Sequence, residues 1–166
     1  MEFITPFIGR LHPLLVHLPI GILFLAFVFE CLSAGKEYRK LQKAVSPALL
    51  WGSVFAIAAG VSGYFLRQEG DYEQRLADLH QNLGIGTAVF SLCVYAVRKR
   101  LKYWMPRRKR RKKARMLLFV PLLILLCLTG HFGGSLTHGA DYLFAPMSET
   151  AATPRDPAVQ IRLISD

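Results

Sequence analysis

Four stretches of this chain run for 19 residues or more without a formal charge: residues 11–29, 44–66, 79–97 and 116–140. Wound as helix, each reaches across a hydrocarbon layer of about 30 Å, which takes roughly 20 residues. A chain with four such runs has few ways to satisfy its backbone polar groups other than spanning a bilayer as helices. The sequence therefore predicts an all-α integral membrane protein, a four-helix up-down bundle.

Lysine and arginine set the expected orientation. The connection at residues 33–43 holds four of them, the connection at 98–115 holds twelve, and the rest of the chain holds five. The positive-inside rule puts both basic connections in the cytoplasm and both termini outside. Residues 1–145 then form the membrane domain with its basic cytoplasmic loop 98–115, and 146–166 a polar outer tail expected to be disordered. The first apolar run has no basic segment before it and no small-residue cleavage site after it, so it is expected to stay as a permanent span. The net charge of +10 resides mainly in RRKRRKKAR, residues 107–115, and its flanks. Such a run at a membrane boundary fixes topology and attracts anionic lipid, and no folded module accompanies it that would point to nucleic acid. Cys31, Cys93 and Cys127 are scattered through apolar surroundings and read as packing residues.

All five histidines (His12, His17, His80, His131 and His138) fall at the outer end of this arrangement. Imidazole is costly in lipid and is the side chain that metal ions and haem iron most often take, so one-sided clustering reads as a binding site. His17 lies 19 residues from Lys36, His80 18 from Arg98, and His131 16 from Arg115. At 1.5 Å per residue these are roughly 29, 27 and 24 Å, one layer near the outer boundary. His17, His80 and His131 are therefore the expected floor of the site, with His12 and His138 at its mouth. Glycines accompany them. Gly21 follows His17 by one turn and Gly84 follows His80 by one turn, while Gly133 and Gly134 crowd His131. Gly60 and Gly63 leave a strip without side chains on the second span, suited to close helix packing or to a flat ligand. Pro19 is expected to kink the first span beside His17. Ser46 and Asp78 are expected to cap the second and third spans, and the glycines near His131 to fray the fourth.

The motifs HPLLVHLPIG, the His80-containing start of the third span and GHFGGSLTHGADYL resemble the bacterial membrane family of domain of unknown function 2231. The likeness covers residues 9–143. It implies an inner-membrane protein associated with haem, working beside a redox partner such as a cytochrome c or another respiratory subunit.

Three functions are open at this point. The first is a haem b held non-covalently, with His17 and His80 ligating from diagonal spans, His131 as substitute or propionate donor, and the glycines giving the porphyrin a flat wall. Such a site relays electrons between a membrane donor such as quinol and an outer redox protein. The second is a zinc or copper site drawing on all five histidines, with Asp78 or Asp141 behind them. The third is a non-catalytic assembly subunit. No nucleophile with a positioned base, phosphate loop or paired carboxylate in a span points to an independent enzyme.

Overall fold

The computed structural model describes residues 4–104 and 107–139. Among the described residues the secondary structure is helical: α1 (Ile4–Arg10), α2 (His12–Leu32), α3 (Gln42–Glu69), α4 (Gln74–Trp104) and α5 (Arg108–His138), with one 3-10 turn at Arg39–Leu41. The tail 146–166 and Asp141 lie outside the described residues. Three segments, His12–Leu32, Arg39–Glu69 and Lys109–His138, are long and apolar enough to cross a membrane. The fourth long helix, α4, has 31 residues but carries polar and charged turns at both ends that dilute its apolar centre.

Each helix is longer than its apolar core because nothing in the flanking sequence breaks it. Ser46 and Pro47 lie inside α3 rather than at its start, and the Ser46 hydroxyl accepts from Arg98 Nη1 at 2.7 Å. Asp78 and Gln81 lie inside α4 rather than capping it, and both bind Arg67 Nη1 of α3, at 2.6 and 2.9 Å. Pro19 is buried within an α2 that continues through it as one helix. The glycines around His131 do not fray α5, which runs on to His138 and ends at Gly139, whose φ of 93° suits a residue without Cβ.

Consecutive long helices pack side by side, α2 on α3, α3 on α4 and α4 on α5, with a lighter contact from α5 back to α2. The core between them is made by Leu23, Ala26, Val45, Leu49, Val94, Phe119 and Leu122. Small groups let the helices approach. A Cβ on Gly52 would lie 2.6 Å from Leu23 Cδ2, and the Ser53 and Ser91 hydroxyls meet at 2.7 Å between α3 and α4. Outside this core the helices present rows of large apolar side chains, such as Trp51, Val54, Ile57 and Val61 on α3 and Leu117, Val120, Ile124 and Leu128 on α5. Rows of that length facing outward suit lipid and not water.

The hairpins α2–α3 and α4–α5 repeat one contact pattern. Between α2 and α4 the offset is 68 residues: Pro19 matches Thr87, Leu23 matches Ser91, Ala26 matches Val94, and all six are buried. Between α3 and α5 the offset is 70, matching buried Leu49 to Phe119 and Gly52 to Leu122. The α2–α4 offset also sets Glu30 opposite Arg98 (98 − 30 = 68), and these two bind each other.

Glu30 is 2% exposed and joins all four long helices. Its Oε2 accepts from Arg98 Nε at 3.0 Å and Nη2 at 2.8 Å, and Arg115 Nε lies 2.9 Å from its Oε1. Arg98 goes on to the Ser46 hydroxyl and the Gln42 carbonyl of α3. With its amide oxygen turned inward, Gln42 also accepts from Arg115. Removing one partner of such a cluster leaves buried charge uncompensated, which costs about 3–5 kcal/mol. Glu30→Ala is therefore expected to lower thermal stability in detergent sharply, while Glu37→Ala on the exposed turn leaves it unchanged; equal melting temperatures for the two variants would contradict this role.

Candidate functional site

At the end of the helices opposite Glu30, two histidines are held in the same way by the two hairpins. His12 opens α2 and turns its ring onto α3, where Nδ1 lies 2.9 Å from the Ala59 carbonyl and 3.2 Å from the Ser62 hydroxyl. His80, near the start of α4, turns its ring onto α5, where Nδ1 lies 3.0 Å from the Thr129 carbonyl. A carbonyl only accepts, so in both rings Nδ1 carries a proton, and in the neutral form of either ring Nε2 keeps its lone pair. The match follows the internal offsets: 80 − 12 = 68 for the imidazoles and 129 − 59 = 70 for the carbonyls.

Glycine makes room for each ring. One turn after Ala59 comes Gly63, where a Cβ would stand 2.8 Å from His12 Cε1; one turn after Thr129 comes Gly133, where a Cβ would stand 2.7 Å from His80 Cε1. Both distances are too short for any side chain, so each imidazole lies against bare helix backbone. The sequences are parallel, AGVSG at 59–63 and TGHFG at 129–133. Supporting hydroxyls complete each cradle. Ser62 Oγ donates to the Ala59 carbonyl at 2.9 Å, and Thr129 Oγ1 meets Thr87 Oγ1 of α4 at 3.0 Å.

The two cradles bring His12 and His80 together, with ring centroids 6.2 Å apart and planes at 82°. This pair differs from the expected floor of His17, His80 and His131. His17 is exposed and bonds back along its own helix, Nδ1 to the Pro13 carbonyl at 2.6 Å. Five residues separate it from His12, a rotation of about 140° around the helix, so the two cannot share a face. His131 packs its ring on Phe132 at 5.2 Å and occupies the position that Val61 holds in the first hairpin. His138 is exposed and lies near its own helix turn, with Nδ1 2.7 Å from the Thr137 hydroxyl. Among the described residues no group of three or more His, Cys, Asp or Glu side chains stands together.

The expected glycines divide in the same way. Gly63 and Gly133 touch the paired rings, and Gly84 faces Thr129 at 3.9 Å. Gly21 and Gly60 have open space at the Cβ position, and the Gly134 carbonyl accepts from the Thr137 hydroxyl. Depth counting misplaced His12 because Lys36, the reference used for the first span, lies beyond the end of α2 at Leu32. Measured along helix, His12 lies 18 residues from Glu30 and His80 18 from Arg98. The signal that identifies the pair was present as the repeated G-x-x-G and as these equal spacings.

These features define a membrane-type helical protein in which two backbone-anchored imidazoles meet at one end of the helices. The chain belongs to the family described as predicted membrane protein (DUF2231), whose model matches residues 10–141. No curated protein and no solved structure matches it.

An added methyl at the base of either cradle must push the ring off its carbonyl. In nitrogen-15 NMR of histidine-labelled protein, Gly63→Ala is expected to change the His12 Nδ1–H signal and leave His80 in place, and Gly133→Ala to do the reverse. Identical spectra for the parent and both variants would contradict the cradle geometry.

Proposed function

We propose that this protein is a haem b-binding electron-transfer subunit of the bacterial inner membrane, an up-down four-helix bundle with both termini and the histidine end outside. It relays electrons between a membrane donor such as quinol and an outer redox partner such as a cytochrome c. The observation that carries this reading is the His12–His80 pair.

Several features support haem over a bare metal ion. An imidazole nitrogen sits about 2 Å from a first-row metal and about 1.1 Å from its own ring centre, so two rings on opposite sides of one ion have centroids roughly 6 Å apart. The observed separation is 6.2 Å. Both rings are in the tautomer that leaves Nε2 able to coordinate, and the carbonyl behind each Nδ1 orients the ring and raises its basicity. A zinc site takes three or four protein donors, and the described residues offer two here. Two imidazoles suit a group that brings its own equatorial nitrogens. His12 and His80 would thus hold the group, in place of His17 and His131.

Bound haem supplies a one-electron couple. The chain's own part is to hold the two rings and to shield them from lipid and water. His12 and His80 keep their positions through bonds to backbone that helix geometry already fixes, so ligand orientation needs little further ordering. Gly63 and Gly133 let the rings recess against α3 and α5. Arg67, bound to Asp78 and Gln81 on either side of His80, ties α3 to α4 beside the pair and offers positive charge to anionic groups there. The single pair near one boundary favours a relay on that side of the membrane. At the other boundary the basic run 107–115 is placed to meet anionic lipid.

A pyridine haemochrome assay on detergent-extracted protein tests the reading. The expected result is haem b at about one per chain with a low-spin reduced spectrum. His12→Ala and His80→Ala should each abolish or strongly deplete it, while His17→Ala and His138→Ala retain most of it. Nearly perpendicular imidazole planes further predict a highly anisotropic low-spin ferric signal by electron paramagnetic resonance. Colourless protein from iron-replete cells, or haem loss only in the His17 variant, would refute the assignment.

A further inference from the structure

At the arginine end, two shallow cavities lie on either side of one turn of α5. The first, of about 390 Å³, is lined by Ala34, Gly35, Lys36, Arg39, Lys109 and Lys112. The second, of about 420 Å³, is lined by Lys109, Arg110, Lys112, Lys113 and Met116. Lys109 and Lys112, three residues apart on one face, form the ridge that both cavities share. Among the described residues, six cationic side chains surround the two spaces and no acidic side chain lines either.

The chain between α2 and α3 is folded to make the first wall. Turn bonds from Ala34 N to the Cys31 carbonyl at 3.1 Å and from Gly35 N to the Leu32 carbonyl at 3.0 Å bend it back. Lys112 Nζ then donates to the Ala34 carbonyl at 3.2 Å, pinning the turn to α5. Held this way, Lys36 and Arg39 line one open cavity together with Lys109.

The depth of the cavities indicates their ligand. Met116 lines the second one and also opens the charge-free run 116–140, so the cations sit where the apolar layer ends. In a bilayer this level is occupied by lipid phosphates, and basic pockets between membrane helices take such head groups. One phosphate fits one cavity. Two cavities sharing a ridge fit two phosphates joined by a short bridge, for which the second contact becomes intramolecular and adds strongly to affinity. We propose that this end of the protein is a binding site for a lipid with two phosphates in one head group, of the diphosphatidylglycerol type. Lys36 and Arg39 hold one phosphate, Arg110 and Lys113 the other, and Lys109 and Lys112 both.

The site is independent of the histidine pair and rests only on α5 crossing the membrane. The test uses full-length protein in detergent, titrated in native mass spectrometry with tetraoleoyl diphosphatidylglycerol, with dioleoyl phosphatidylglycerol and with inorganic pyrophosphate. The two-phosphate lipid is expected to bind about tenfold or more tightly than the one-phosphate lipid, and pyrophosphate weakly. The double variants Lys36→Gln/Arg39→Gln and Lys109→Gln/Lys112→Gln should each remove that preference, with unchanged melting temperature for the first. Arg75→Gln, at the histidine end, should keep it. Equal binding of the two lipids, a preference that survives both double variants, or pyrophosphate binding as tight as the lipid would overturn the proposal.

Discussion

The carboxylate of Glu30 is the point at which the four long helices are tied together. It draws Arg98 from α4 and Arg115 from α5 onto α2, and through Arg98 it reaches Ser46 and Gln42 on α3. No apolar contact between helices that face lipid has comparable leverage, because lipid tails solvate a leucine as well as a neighbouring helix does. Buried charge is different. It can be satisfied only in one arrangement of the four helices, and that arrangement sets the register that brings His12 and His80 together 18 residues farther along α2 and α4.

The pairing also explains why the two hairpins repeat in geometry but not in charge. Equivalent positions carry Glu30 in one half and Arg98 in the other. Two copies of the first half would set carboxylate against carboxylate, and two copies of the second would set guanidinium against guanidinium. Either mispairing leaves like charges together in a medium without water, so the charge difference selects the pairing of unlike halves. The histidine end needs no such distinction. There both halves contribute the same group, held in the same way on a backbone carbonyl.

Much of this was legible in the sequence. Charge-free length gave helices of membrane-crossing size, His12 and His80 were among the histidines singled out at one end, and the motifs pointed to the family that the match over residues 10–141 establishes. What a linear reading lacked was rotation around each helix. Counting residues from a basic boundary places His17 and His80 at similar depth, but depth says nothing about azimuth, and His17 faces outward beside its own Pro13 carbonyl. The boundary itself was also misjudged, since Lys36 lies past the last turn of α2 and stretches the count for the first span. Glu30 escaped notice because a lone acid at the end of an apolar run resembles an interface residue until its partners on other helices are seen. The repeat was the overlooked signal: AGVSG and TGHFG share the two glycines and the spacing that the cradles need.

The cradles rest on a constraint peculiar to helices in lipid. Every carbonyl of an interior turn is already bound within its helix, so a polar side chain crossing to a neighbour must share an acceptor that is in use. Carbonyl oxygen has a second lone pair and can accept again, provided the donor comes close to the backbone. Gly63 and Gly133 permit that approach, and a methyl at either would hold the ring away. Imidazole gains more from this than a hydroxyl does. Once Nδ1–H is committed to backbone, the ring is fixed in orientation by a bond to helix that is itself already fixed. The same bond that lets histidine reside at this depth therefore sets where its ring lies, and two such bonds, repeated by the two hairpins, bring the rings together as a pair.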